Sequence, residues 1–183
     1  SGVNGLPRRE IITYPYIVVE IMDRLSCNIC LSQVSIHMRL TITNRNSGIK
    51  FRIQIKKMGF DLSNDFYVTN TVKCFTPGLT PEEKIKVKNN CIVHLMQEIE
   101  MIQPELIVCV GGTALEAIYD QILKKKPPGV KISIEGGAKK VDGYHVATML
   151  HPSWYDYWSR KWEWTEKNYL NDSRSILLQY SKK

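Results

Sequence analysis

Apolar residues recur along this chain in short runs, with polar, glycine or proline punctuation between them. From Val34 the apolar positions alternate strictly (Val34, Ile36, Met38, Leu40, Ile42), the signature of a half-buried strand. Before it, Ile17 to Leu25 predicts a short helix, and Asn44-Arg45-Asn46-Ser47-Gly48 is a turn by composition. The next run carries two periods at once. Ile49, Phe51, Ile53 and Ile55 alternate as the second strand of a hairpin would, whereas Phe51, Ile55 and Met58 share one helical face with Gly59 as a stop. The alternation favours the strand.

Further on the punctuation is clearer. Phe66 to Val72 predicts a buried strand. Thr80-Pro81-Glu82-Glu83 opens a helix with a capping Thr, a Pro in the first turn and a Glu three residues after the cap. That helix runs to Gln103 before Pro104, with Ile92, Leu95, Ile99 and Ile102 as its apolar face. Leu106 to Val110 predicts a strand and Gly111-Gly112 a tight turn. Thr113 and Glu116 predict a second capping box, opening a helix that reaches Lys125 and is broken by Pro127-Pro128-Gly129. Val130 to Ile134 and Tyr144 to Leu150 predict strands. After His151 an aromatic loop leads into a last helix, Thr165 to Tyr180. Strands alternating with helices predict an α/β layered domain with a central, largely parallel sheet flanked by helices. The 183 residues predict a single domain, 1–183.

Composition narrows the setting. Apolar content of 43% and charged content of 23% are those of a soluble globular protein, and no run approaches the ~20 apolar residues needed to cross a membrane. The N-terminus lacks the charged and apolar regions of an export signal. Five cysteines without such a signal point to a reducing, intracellular setting (cytoplasm, nucleoid or organelle matrix) and to metal ligation rather than disulfides. A net charge of +7 favours polyanionic partners, DNA first and RNA as the alternative, although solubility accounts for the charge equally well. Lys124-Lys125-Lys126 and Lys139-Lys140 are candidate phosphate contacts or solvated loop ends.

Four cysteines carry the first chemical signal. Cys27 and Cys30 form a C-x2-C pair, Cys74 follows after 43 residues and Cys91 after 16 more. Four thiolates held by a fold bind zinc or an iron–sulfur cluster. A zinc ribbon shows two short pairs, and only the first is short here, so the spacing suits a 4Fe–4S cluster better, with zinc as the alternative. Cys109, inside Leu106-Ile107-Val108-Cys109-Val110, is most simply a buried strand residue.

The second signal lies at strand ends. His151-Pro152-Ser153 sits just past a strand, where ligands bind in open α/β sheets. Behind it Trp154, Tyr155, Tyr157, Trp158 and Arg160 fall within seven residues. Such rings stack on bases or wedge between base steps, and arginine pairs with phosphate; some of these rings are also natural anchors for the last helix. Asn70 ends another strand, and a side-chain amide both donates and accepts, so it can read a base edge. Gly111-Gly112-Thr113 can meet a phosphate, but an ordinary strand-to-helix turn accounts for it. His37, His94 and His145 have no ligand spacing.

Taken together, these residues resemble the iron–sulfur uracil-DNA glycosylases, the family-four branch of that superfamily. The string Tyr67-Val68-Thr69-Asn70-Thr71-Val72-Lys73-Cys74 is similar to that family's strand ending in the third cluster cysteine. Thr80-Pro81-Glu82-Glu83, Cys91, Ile102-Gln103-Pro104-Glu105-Leu106-Ile107-Val108, Gly111, His151-Pro152-Ser153 and Arg160 follow in the family's order. The resemblance covers residues 20 to 160. It implies the glycosylase fold, a 4Fe–4S cluster on Cys27, Cys30, Cys74 and Cys91, and a DNA substrate from which uracil is flipped and excised. It further implies that Asn70 binds uracil and His151 stabilises charge on the departing base. Ser153, Trp154, Tyr155 and Arg160 would contact the strand. It favours a helix over Ser47 to Phe60, against the alternation there. Where the family carries a Gly-Glu-Ala-Pro-Gly type motif this chain has Leu40 to Gly48, and no acidic residue lies between Asp23 and Asp61. A glycosylase-fold protein without activity, acting as a nucleic-acid-binding or assembly subunit, is therefore the alternative reading.

Overall fold

The computed structural model describes residues 16–20, 46–71 and 80–181. Five strands, β1 (Tyr16–Glu20), β2 (Phe66–Asn70), β3 (Leu106–Val110), β4 (Lys139–Val141) and β5 (Tyr144–Met149), form one sheet in the order β2-β1-β3-β5-β4. The first four strands in that order are parallel and β4 is antiparallel to β5. The helices are α1 (Asn46–Lys57), α2 (Pro81–Ile102), α3 (Gly112–Glu116), α4 (Val130–Glu135), α5 (Tyr155–Lys161) and α6 (Glu166–Gln179). A π-helical turn, Ala117–Ile122, continues α3. The layered α/β class is as the alternation of elements implies.

β3 shows why the sheet is covered on both sides. All five of its residues are buried, and a strand alternates its side chains between faces. Leu106, Val108 and Val110 join Phe51 and Ile55 of α1, Met58 just past its end, and Tyr169 and Leu177 of α6 in one core. Ile107 and Cys109 join Leu95 and Ile99 of α2 and Ala114, Leu115 and Ile118 of the α3 segment in the other. A continuous apolar run is what a strand buried on both faces requires. Two exposed ion pairs, Lys50 to Asp156 at 3.1 Å and Lys57 to Glu166 at 2.6 Å, link α1 to α5 and α6. Pairs this exposed contribute on the order of 0–1 kcal/mol each.

Several elements differ from the sequence expectation. The helix expected over Ile17 to Leu25 is strand β1 where it is described, held between β2 and β3 by Tyr16 pairing with Phe66 and Leu106. The Ile49 to Ile55 alternation is not a strand but α1: Phe51 and Ile55 are fully buried, while Ile49 and Ile53 stay 43% and 49% exposed. The helical face implied by the resemblance is the one that packs. Thr113 and Glu116 form no capping box, because Gly111 occupies the cap position with φ of 89° and no side chain caps α3. Val130 to Ile134 is helix α4, not a strand. The aromatic loop after His151 is largely helical, as α5. The strand expected over Val34 to Ile42 lies outside the described residues.

Candidate active site

The carboxyl ends of the parallel strands gather the polar residues. β2 ends in Asn70, whose residue is 2% exposed and whose carboxamide oxygen meets no hydrogen-bond partner among the described residues. An unpaired buried acceptor costs about 1–3 kcal/mol, so such a group marks a place prepared for a donor. Its neighbour Thr69 donates from Oγ1 to Glu98 Oε2 at 2.7 Å, which fastens this end of β2 to α2. In the sheet register Asn70 lies opposite Glu20, the last residue of β1.

His151 leaves the sheet one residue after the first buried residue past β5. The chain is pinned there twice. Gly111 N–H donates to the Met149 carbonyl at 2.8 Å, and Leu150 N–H donates to the Tyr169 hydroxyl at 3.0 Å. Burial pushes the Tyr169 hydroxyl far above its ordinary pKa, so it stays a neutral phenol. A Cβ at Gly111 would lie 3.1 Å from the His151 Cβ, and Gly111 has positive φ, so both conformation and space select glycine. Beyond the ring, Ser153 N–H donates to His151 Nδ1 at 3.2 Å and Trp154 N–H donates to the His151 carbonyl at 2.9 Å. With Nδ1 accepting, the ring proton of the neutral imidazole belongs on Nε2, which makes Nε2–H a donor.

Asn70 and His151 therefore stand on two strands separated by β1 and β3. Three inter-strand steps place their backbones about 14 Å apart. The ends of β1 and β3 form the floor between them.

The aromatic residues divide. Trp154 is 59% exposed, while Tyr155 is half-buried with its ring 5.1 Å from Tyr169. Trp158 stacks on Trp162 at 4.7 Å, and Trp164 stacks on Tyr169. These rings anchor α5 and α6, the structural role that the sequence also allowed. Ser153 is exposed. Arg160 is exposed and donates from Nε to the Asp156 carbonyl at 2.8 Å along its own helix. Lys161 lies 5.0 Å from the Trp158 ring centroid, within cation–π range.

Of the four candidate metal ligands, Cys91 is buried and unpaired on α2, and Cys27, Cys30 and Cys74 lie outside the described residues. Cys109 is fully buried in β3, and burial raises its thiol far above the ordinary range, so it is a core residue. Among the described residues no group of three His, Cys, Asp or Glu side chains is placed to hold a metal.

Residues 36–174 match the profile of the Uracil DNA glycosylase superfamily. The chain belongs to that superfamily. It is 33% identical over 147 residues to a Type-4 uracil-DNA glycosylase of Thermotoga maritima, a match covering 78% of this chain and 60% of the relative. It is also 33% identical over 98 residues to a Type-4 uracil-DNA glycosylase of Archaeoglobus fulgidus, covering 48% of this chain and 47% of the relative. The chain thus spans about half to three-fifths of the length of these curated relatives. In this sheet β1, the strand between β2 and β3, lies N-terminal to the segment that matches the profile. Among the described residues no helix is long and apolar enough to cross a membrane.

Proposed function

We propose that this chain hydrolyses the N-glycosidic bond between uracil and deoxyribose in DNA. The observation that carries this reading is the buried Asn70 carboxamide oxygen, left without a donor at the carboxyl edge of the sheet. Uracil presents an N3–H donor beside an O4 acceptor, the complement of a side-chain amide. Cytosine presents the reverse order, an acceptor at N3 and a donor at N4. The names of the two Type-4 relatives support the same substrate.

The steps follow from the residues. The base must leave the stack, because its glycosidic bond is inaccessible within it. Asn70 holds the flipped base by N3 and O4. As the C1′–N1 bond breaks, its electron pair passes to the base, and negative charge gathers on O2. His151 Nε2–H donates to that oxygen, a contribution made mainly as the charge develops. Water adds at C1′, and the proton it gives up ends on the departing uracil anion, so that free uracil and a C1′-hydroxyl sugar result. Trp154 and Arg160 meet the flanking strand, with Ser153 and Tyr155 shaping the turn that carries them.

Cys27, Cys30, Cys74 and Cys91 are the residues that would hold a 4Fe–4S cluster, with zinc the alternative. Cys91 fits such a role: its thiol is buried, unpaired and carried on the same helix as Glu98, which fastens the end of β2. The cluster would supply a structural cross-link. Single-stranded and duplex oligonucleotides with one uracil test the proposal. Free uracil and an abasic site, without strand cleavage, are expected. Correctly folded protein with its metal that releases no uracil from either substrate overturns the reading.

A further inference from the structure

A cavity of about 660 Å³ opens on the β3 and β5 half of the sheet, and among the described residues it is lined by His151 but not by Asn70 or any other residue of β2. Trp154, Trp158 and Trp162 line it, together with the Glu116 carboxylate and the exposed Lys131 ammonium, which pairs loosely with Glu135 at 3.6 Å. Its volume is in the range of small-molecule sites, roughly 300–1,000 Å³. Trp158 and Trp162 stack on each other, whereas Trp154 meets Tyr157 only edge-on at 6.3 Å and leaves 59% of its surface to solvent, so among the described residues no ring stacks on its face. The strand-to-helix turn beside it is bare: a Cβ at Gly112 would sit 3.2 Å from Val130 Cγ2.

We propose that this cavity is a second nucleobase subsite, which takes an unpaired base neighbouring the one at Asn70 and prefers guanine. Its position relative to the excised base rests on the uracil-excision reading. The chemistry of the subsite rests on its lining. Base–indole stacking accepts any base, so the preference comes from the polar group. A carboxylate only accepts hydrogen bonds. Guanine offers it two adjacent donors, N1–H and the N2 amino group. Adenine and cytosine offer one amino group, while thymine offers a single N3–H flanked by two carbonyls that repel the carboxylate. Lys131 pairs with the phosphate of the same nucleotide. Both the stacking face and the donor edge must be free, so the bound base is unpaired and the protein favours single strands or frayed duplex.

The test uses the full chain and the quenching of its tryptophan fluorescence by uracil-free tetranucleotides. Binding of d(TGTT) is expected to be at least about tenfold tighter than binding of d(TTTT), the scale of a bidentate base contact. Glu116→Gln should shrink that ratio several-fold while binding persists, and Trp154→Ala should weaken both ligands. Equal affinities for the two tetranucleotides, or a ratio untouched by Glu116→Gln, overturn the proposal. Glu116 is exposed, so its variant should fold even if the tryptophan variant does not. Uracil release from substrates with guanine or thymine beside the uracil separates the two readings. Release without a guanine preference in binding overturns the subsite alone. A guanine preference in binding without uracil release overturns the excision reading alone.

Discussion

Replacing Tyr169 by Phe removes a single oxygen and asks whether His151 is placed by the core behind it. The hydroxyl accepts the Leu150 N–H at 3.0 Å, and Leu150 is 2% exposed, so no water stands ready to take over. Ser173, also buried, shares the hydroxyl. The Phe ring keeps the contacts with Tyr155 and Trp164, so lost packing is minimal. What remains is one buried backbone donor without an acceptor, worth about 1–3 kcal/mol. Urea denaturation should show a lower midpoint at unchanged slope, since the surface exposed on unfolding is the same. Because Leu150 precedes His151, single-turnover uracil release should slow as well, while DNA affinity holds. The conservative partner is Ser173→Ala, which leaves the Tyr169 acceptor in place and should spare the rate. A stability loss below about 0.5 kcal/mol, within the range of an ordinary surface substitution, together with an unchanged rate would refute the reasoning.

Other outcomes follow from the same geometry. His151→Ala should lower uracil release by on the order of 100-fold or more, with DNA affinity retained, because its donor acts on charge absent from the ground state; an unaffected rate would place the site elsewhere. Cys91→Ser should strip the metal and lower stability while Cys109→Ser keeps it, as read by iron and zinc analysis; protein isolated with zinc and no iron would fix the alternative metal. Stability should be full at neutral pH and fall as the solution is made alkaline. Tyr169 and Cys109 both have folded-state pKa values raised by burial, so the unfolded chain loses their protons first, starting near its ordinary values of about 8.5 for Cys and about 10 for Tyr. Thermal midpoints measured between neutral and strongly alkaline pH check this, and a flat profile would contradict it.

How much of this was legible depended on whether the deciding chemistry was local. α2 was readable because its start is a local device: Glu83 N–H donates to Thr80 Oγ1 at 3.3 Å and Thr80 N–H donates to the Glu83 carboxylate at 2.8 Å. The same letters at Thr113 and Glu116 failed, because the backbone needs positive φ at Gly111, beside His151, and the cap position falls there instead. α1 satisfied two periods at once, and only tertiary burial of Phe51, Ile55 and Met58 separates them. α4 was misread for its β-branched residues, although Ile132 is 69% exposed, which a central strand would not allow. In the candidate site, Asn70 and His151 were singled out by their places at strand ends, whereas β1 itself was read as a helix. No local pattern reports which of two apolar runs will enter the middle of a parallel sheet.

The position of β1 also sets the order in which this molecule can assemble. Tyr16 must find Phe66 on one side and Leu106 on the other, so β1 waits for partners far along the chain. Contacts of such sequence separation close slowly, because the loop entropy is lost before the pairing compensates for it. Until then β2 and β3 each present an unpaired edge, the kind of surface through which chains aggregate. A fragment limited to residues 36–174 would keep those edges permanently open, since its sheet would lack the strand between them. Cutting the chain back to residue 36 is therefore expected to cost solubility as well as five residues of sheet.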